Sequence, residues 1–199
     1  MSDLINAEKI TLREETNILL SGMDKSRISE ETELITEKIL SSPFWKNADF
    51  LLSYDPFGTE FSPKALLTAA LDSGKKIAFP RINKSRDKNG SRSREMDFFL
   101  TEGTDGPWVL HKWGFREPAD SCPLFNPLEY EKKRVLLLCP GVAFDRENYR
   151  LGRGGGYYDT YIQRYSRNLC LIAPAFSCQI TKNIPREIHD RSMDAVFTV

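Results

Sequence analysis

Residues 140–159 read PGVAFDRENYRLGRGGGYYD. Four glycines fall within positions 152–156, with Arg150 and Arg153 beside and among them. Glycine lets a backbone approach a ligand with no Cβ in the way. A strand, a glycine loop and a helix start in succession present backbone N–H groups to a phosphate. Here the apolar run 135–139 leads in and the helix-like run 157–165 leads out. Arg150 and Arg153 can form charge-assisted, two-pronged bonds to phosphate oxygens. Tyr157 opens a helix whose positive end would face the anion. Asp159, in the first turn, lies close enough to ligate a Mg²⁺ held by the same phosphates. The competing reading is a structural glycine turn with surface arginines. Against it stands the backbone entropy that clustered glycines lose on folding.

Two familiar phosphate-binding patterns are excluded. A Walker A loop needs a lysine and a hydroxyl residue after its glycines, and here Tyr157 and Tyr158 stand there. A dinucleotide fingerprint needs a third glycine where Tyr157 falls, and a tight strand-to-helix turn that this longer connection lacks. A dinucleotide oxidoreductase is therefore disfavoured.

The loop must be positioned by alternating strands and helices. Residues 7–23 predict a helix, and Ser29 a cap for a second helix with Leu34, Ile35, Ile39 and Leu40 as its apolar stripe. Residues 50–54 and 76–80 predict strands. Between them lie the turn 55–58 and a helix that starts at Pro63 and ends at Gly74. Residues 134–139, 169–173 and 195–199 predict three more strands. The alternation predicts a single α/β domain over residues 1–199, a three-layer αβα sandwich with a mainly parallel sheet. The 135–139 strand should lie centrally, with the glycine loop at its C-terminal end, where ligands bind in open α/β sheets. Residues 83–95 are polar, carry five Lys or Arg and contain Asn89-Gly90. They fit a hairpin tip or disordered loop better than a lid over an anionic ligand. Residues 100–130 read as loop-rich.

Bulk properties narrow the function. The 199 residues hold 28 basic and 28 acidic side chains, and a balanced charge argues against a dedicated nucleic-acid binder. No apolar run has the length needed to span a bilayer. The first residues lack a basic segment and an apolar stretch, so a cytoplasmic, non-membrane protein is expected. The four cysteines show no paired spacing and read as reduced core thiols rather than a zinc site or disulfide.

Beyond these inferences, the chain resembles the 5-formyltetrahydrofolate cyclo-ligase (methenyltetrahydrofolate synthetase) family. The resemblance runs through Lys9 to Arg13, Tyr54 to Glu60, Phe79-Pro80-Arg81, Gly114 to Pro118, Pro140 to Asp159, and Gln179, Pro185, His189-Asp190 and Asp194. The 140–159 signature is long and specific. The other matches are short but fall in the expected order. Two departures stand out. Asn148 occupies a position usually held by glycine, and asparagine is the best substitute for a left-handed backbone. Gly155 stands where some relatives carry lysine, which shifts phosphate neutralisation onto Arg150, Arg153 and Lys9.

The resemblance implies a Rossmann-like fold, with layering similar to sugar-phosphate isomerases and CoA-transferases. It also implies an ATP- and Mg²⁺-dependent ligase. In that reaction the formyl oxygen of 5-formyltetrahydrofolate attacks the γ-phosphate. N10 then closes on the resulting iminium phosphate, giving 5,10-methenyltetrahydrofolate, ADP and phosphate. Alignment and charge neutralisation suffice, with no enzyme nucleophile. By similarity Lys9, Arg13 and Arg150, Leu151, Gly152, Arg153, Gly154, Gly155, Gly156, Tyr157 and Tyr158 contact ATP, with Arg150 and Arg153 catalytic. Leu52, Glu60, Trp113 and residues 153–157 contact the folate, Asp159 and Asp190 hold Mg²⁺, and His189 is structural. The expected partners are these small molecules only, and a monomer is expected. Without the resemblance, Lys9 and Arg13, four apart on one helix, would read as a solvated face. Two other readings stay open: a non-catalytic folate-binding protein, and a sugar-phosphate isomerase or CoA-transferase relative.

Overall fold

A computed structural model describes residues 2–83, 94–112, 114–130, 132–187 and 190–199. The chain begins with three helices: α1 (Ser2–Ser21), α2 (Lys25–Ser41) and α3 (Pro43–Asn47). The first starts earlier than residue 7, and the second is capped at Asp24, not Ser29. The Asp24 carbonyl already accepts from the Ile28 amide at 2.9 Å, which places Ser29 inside the helix. The short α3 follows from Ser42, whose hydroxyl accepts from the Trp45 amide, with Pro43 next to it.

Then come β1 (Phe50–Leu52), α4 (Lys64–Asp72), β2 (Lys76–Ile82) and β3 (Met96–Thr101). The region read as loop-rich holds three short strands, β4 (Trp108–Leu110), β5 (Arg116–Pro118) and β6 (Leu124–Phe125). The signature region supplies β7 (Val135–Leu138), β8 (Ala143–Asp145), β9 (Arg150–Leu151) and α5 (Tyr157–Tyr165). The chain closes with β10 (Leu169–Pro174), β11 (Ile180–Thr181) and β12 (Ala195–Phe197).

A seven-stranded sheet runs β12-β10-β7-β1-β2-β3-β6. From β12 to β2 all pairings are parallel; β3 and β6 add antiparallel. Alternation along each strand splits the core in two. Leu51, Leu136, Leu138, Ile77 and Ile172 face α2 and α4, where Ile35, Ile39 and Leu66 meet them. Leu52, Leu137, Ala78 and Leu171 face α5 through Tyr161 and Ile162. Period-two alternation with apolar residues on both faces is what a sheet covered on both sides requires. The expected α/β sandwich is thus observed, with β7 between β10 and β1. Residues 84–93 lie outside the described residues. Their flanks pair as the antiparallel β2–β3 hairpin, closed by the Asn83 amide donating to the Glu95 carbonyl at 2.9 Å.

A small sheet, β11-β8-β9, carries the signature. Asp145 anchors it. Its buried carboxylate accepts from the amides of Glu147 and Tyr149, each at 3.0 Å, from the Ile184 amide at 3.2 Å and from Arg186 Nη2 at 2.8 Å. Burial alone would raise its pKa, but these donors together with Arg186 hold it below the ordinary aspartate value. Because the folded pKa is the lower one, the stabilisation is full above the unfolded value and vanishes as pH falls through the folded one. Asp145→Asn is therefore expected to lower Tm by several degrees at pH 7, with the gap to wild type closing in acid. Thermal unfolding of both chains across that range checks it; a gap independent of pH contradicts it.

Candidate active site

The loop between β9 and α5 sits at the C-terminal end of β7, as expected. Arg150 lies beneath it. Its Nη1 donates to the Pro140 carbonyl at 3.0 Å and its Nη2 to Asp159 Oδ1, and only 4% of its side chain is exposed. Gly152 packs directly on it: a Cβ there would lie 2.8 Å from Arg150 Nη1 and would have to displace the guanidinium. Arg150 is thus a strut under the glycine loop rather than a surface cation. Gly156, at φ 73°, is the N-cap of α5 in the left-handed region, and having no side chain it leaves the first amides of the helix without a cap of their own, the kind of helix start that accepts an anion. Asn148 adopts φ 64°, the left-handed turn expected of it.

Lys9 and Arg13 are not a solvated face. Arg13 Nε donates to the Gly152 carbonyl at 2.8 Å. Burial pulls its pKa down, and Asp159 partly offsets that. Lys9 Nζ, one helical turn earlier, pairs with Glu187 Oε2 at 3.2 Å and Asp190 Oδ2 at 2.9 Å. The helix thereby docks onto both the loop and the C-terminal segment. Gln179 supports the strand end, donating to the carbonyls of Gly141 and Val142 at 2.8 and 3.0 Å.

Facing the loop across a cleft of about 460 Å³ is the chain that leaves β1. Glu60 Oε2 accepts from the Phe57 amide at 2.9 Å, and Oε1 from Arg153 Nε at 2.8 Å. Tyr54, Phe57 and Phe115 make this wall aromatic, and Ile82 and Met96 add apolar lining to the cleft. Such a lining suits a flat heterocycle, while the opposite wall of glycines and arginines suits phosphates.

The structure brings Glu60, Arg150, the glycines of 152–156, Arg153, Tyr157, Tyr158 and Asp159 onto one cleft. It places others elsewhere. Leu52 is fully buried among Phe98, Leu137 and Leu171 in the core, because its side chain takes the α5 face of β1. Leu151 packs with Ala143 and Ile184. Asp190 is engaged by Lys9 and by the Glu187 amide at 2.8 Å and is not among the residues lining the cleft. Among the described residues no group of three or more His, Cys, Asp or Glu side chains is assembled for a metal. Trp113 and His189 lie outside the described residues. Cys139 is fully enclosed, and burial pushes its thiol up to about 12, so it is no nucleophile at neutral pH.

Sequence reasoning missed Asp55, Phe115, Arg116 and Glu117 on the lining. Asp55 holds Arg116 through the Arg116 amide at 2.8 Å and the guanidinium at 2.8 and 3.2 Å. Glu117 is buried and accepts from the Ile82 amide at 2.8 Å. Two signals were available: Asp55 follows β1 at its C-terminal end, where sheets of this kind bind ligands, and all four lie in segments that carry the family resemblance.

A model of the 5-formyltetrahydrofolate cyclo-ligase family matches residues 5–199. A probable 5-formyltetrahydrofolate cyclo-ligase of Schizosaccharomyces pombe is 28% identical over 206 positions, covering 98% of this chain and 96% of that protein. The mitochondrial 5-formyltetrahydrofolate cyclo-ligase of Arabidopsis thaliana is 30% identical over 217 positions, covering 98% and 76%. The solved structure of Aquifex aeolicus 5,10-methenyltetrahydrofolate synthetase aligns with a TM-score of 0.73 at 24% identity, covering 96% of this chain and 89% of that one. That of the Mycoplasma pneumoniae synthetase gives 0.70 at 20%, covering 96% and 98%, and both likenesses establish the fold. With the match running nearly end to end, the chain belongs to the 5-formyltetrahydrofolate cyclo-ligase family.

Proposed function

We propose that this enzyme uses ATP to cyclise 5-formyltetrahydrofolate to 5,10-methenyltetrahydrofolate, releasing ADP and phosphate. The observation that carries the reading is a single cleft with two unlike walls. One offers glycine backbone, Arg150, Arg153 and an open helix start; the other is aromatic and holds Glu60. An isomerase or acyl-transfer site has no need of both walls together. A folate-storage protein has no need of Arg150 fixed beside Asp159.

In this reading Arg153 and the backbone around Gly154 to Tyr157 neutralise and align the triphosphate, with Arg150 holding the loop in place. Lys9 and Arg13 anchor the loop from α1. Glu60 accepts hydrogen bonds from the pterin ring, and Tyr157 borders both substrates. The formyl oxygen then faces the γ-phosphorus, attacks it and expels ADP. N10 closes the ring as phosphate leaves, and the chain's contribution is alignment plus neutralised charge.

A Mg²⁺ fits here only in its usual manner, on one or two carboxylates with substrate phosphates and water completing the shell. Asp159, more than half exposed on the cleft, suits it; the Asp190 carboxylate already accepts from Lys9 and the Glu187 amide. When bound, the ion would offset negative charge on the phosphates. Asp159→Asn is expected to raise the Mg²⁺ concentration for half-maximal rate about tenfold, for the loss of one hard ligand. Adding Asp190→Asn should be non-additive if both serve one ion; additive losses would part them. The test of the whole reading is the rise in absorbance of the methenyl product with and without MgATP. Product formed without nucleotide, or none with it, refutes it.

A further inference from the structure

We propose that the Arg153–Glu60 ion pair is a strap across the cleft that couples its two walls. Opening it for either substrate readies the other wall, so nucleotide and reduced folate bind with positive, reciprocal cooperativity. The inference rests on the reading above, in which Arg153 serves the phosphates and Glu60 the pterin.

The two residues are 93 positions apart and stand on opposite walls. Arg153 belongs to the glycine loop. Glu60 belongs to a hook after β1, pre-shaped by its own bond to the Phe57 amide and by Gly58 at φ 63°. The hook receives the guanidinium at three groups. Nε meets Glu60 Oε1 at 2.8 Å, Nη2 meets the Phe57 carbonyl at 3.3 Å, and the cation lies 5.6 Å from the Phe57 ring centre. Among the described residues, the bonds to Glu60 come from Arg153 and the Phe57 amide alone.

Exposure makes the pair lopsided. The Arg153 side chain is 44% exposed and Glu60 only 13%. Drawing Arg153 away toward a phosphate leaves an enclosed carboxylate short of a donor. That state is unfavourable until new donors arrive, and the amino and N–H groups of a pterin are such donors. Conversely, a pterin that occupies Glu60 releases Arg153 toward the phosphate side. Each substrate alone must break the strap, and the second finds it open. By linkage the factor is the same in both directions. A partly exposed pair sets its size at about fivefold.

The experiment measures binding of a non-hydrolysable Mg–ATP analogue to the full chain by calorimetry, with and without saturating 5-formyltetrahydrofolate, and the reverse. Expected is an approximately fivefold lower Kd for each ligand when the other is present. Glu60→Gln, which removes the charge but keeps the size, should bind the analogue about fivefold more tightly than folate-free wild type and show no coupling. A wild-type factor of one with both ligands bound overturns the strap and leaves the catalytic reading standing. Coupling that survives in Glu60→Gln also overturns it. If the variant does not fold, the wild-type factor decides. Failure of wild type to bind the analogue at all, in either state, overturns the catalytic reading and the strap with it.

Discussion

Arg150→Ala is expected to reduce turnover at saturating MgATP by at least about a hundredfold, with the far-UV spectrum unchanged. Its bonds to Pro140 and Asp159 are both lost, and hydrogen bonds of charged groups contribute roughly 1.5–3 kcal/mol each. A hundredfold in rate corresponds to about 2.7 kcal/mol, which these two bonds together can contribute to holding the loop in its aligned geometry. Truncation also removes what Gly152 packs against, so the loop loses its support along with a cation. Arg150→Lys keeps the charge but not the planar fork that spans two acceptors, and it should recover little. Steady-state kinetics with both variants decide. Turnover near wild type in Arg150→Ala would make the residue dispensable and the loop self-supporting.

Gly141→Ala should be the most damaging single methyl group on the site. A Cβ there falls 2.4 Å from Cζ of Phe144 and 2.9 Å from Cγ of Arg150. Phe144 is completely buried and has nowhere to turn. Overpacking of this kind typically costs 1–3 kcal/mol or more. At this chain length that corresponds to a Tm lower by roughly 2–12 °C. Activity should fall further than stability explains, because the stem of Arg150 is pushed as well. Gly58→Ala is the useful contrast. Among the described residues a Cβ there meets nothing within 4 Å, and what is penalised is the left-handed φ. Calorimetry of the two variants separates crowding from backbone strain. Equal Tm losses would mean that the Phe144 ring yields.

The parallel part of the sheet was legible because its strands are continuous apolar runs bounded by turns, and burial on both faces makes such runs. Helix α5 was legible to the residue, from 157 to 165. The antiparallel margin was not. The β3 strand MDFFLT follows a polar segment, and its pairing with β2 comes from across the hairpin rather than from its own pattern. The strands β8 and β9 have three and two residues, too short for any periodicity to show. At the site, residue type and spacing found the glycine loop and its arginines. They did not show that Arg150 lies under the loop, which depends on the Pro140 carbonyl ten positions back. Nor did they show Asp145 as an anchor, since three of its four partners are backbone amides that no side-chain pattern records.

The contacts that fasten the glycine loop to the Glu60 hook and to α1, and α1 to the C-terminal residues, join partners 93, 139, 178 and 181 positions apart. Each encloses most of the sheet within its span, and each must wait for the intervening chain to settle before its ends can meet. In time, then, the cleft comes after the sheet: helices and β1–β2 can assemble among near neighbours, while α1, the glycine loop, Glu187 and Asp190 converge only at the close of folding. A species halted just short of that point would have native secondary structure and no working site.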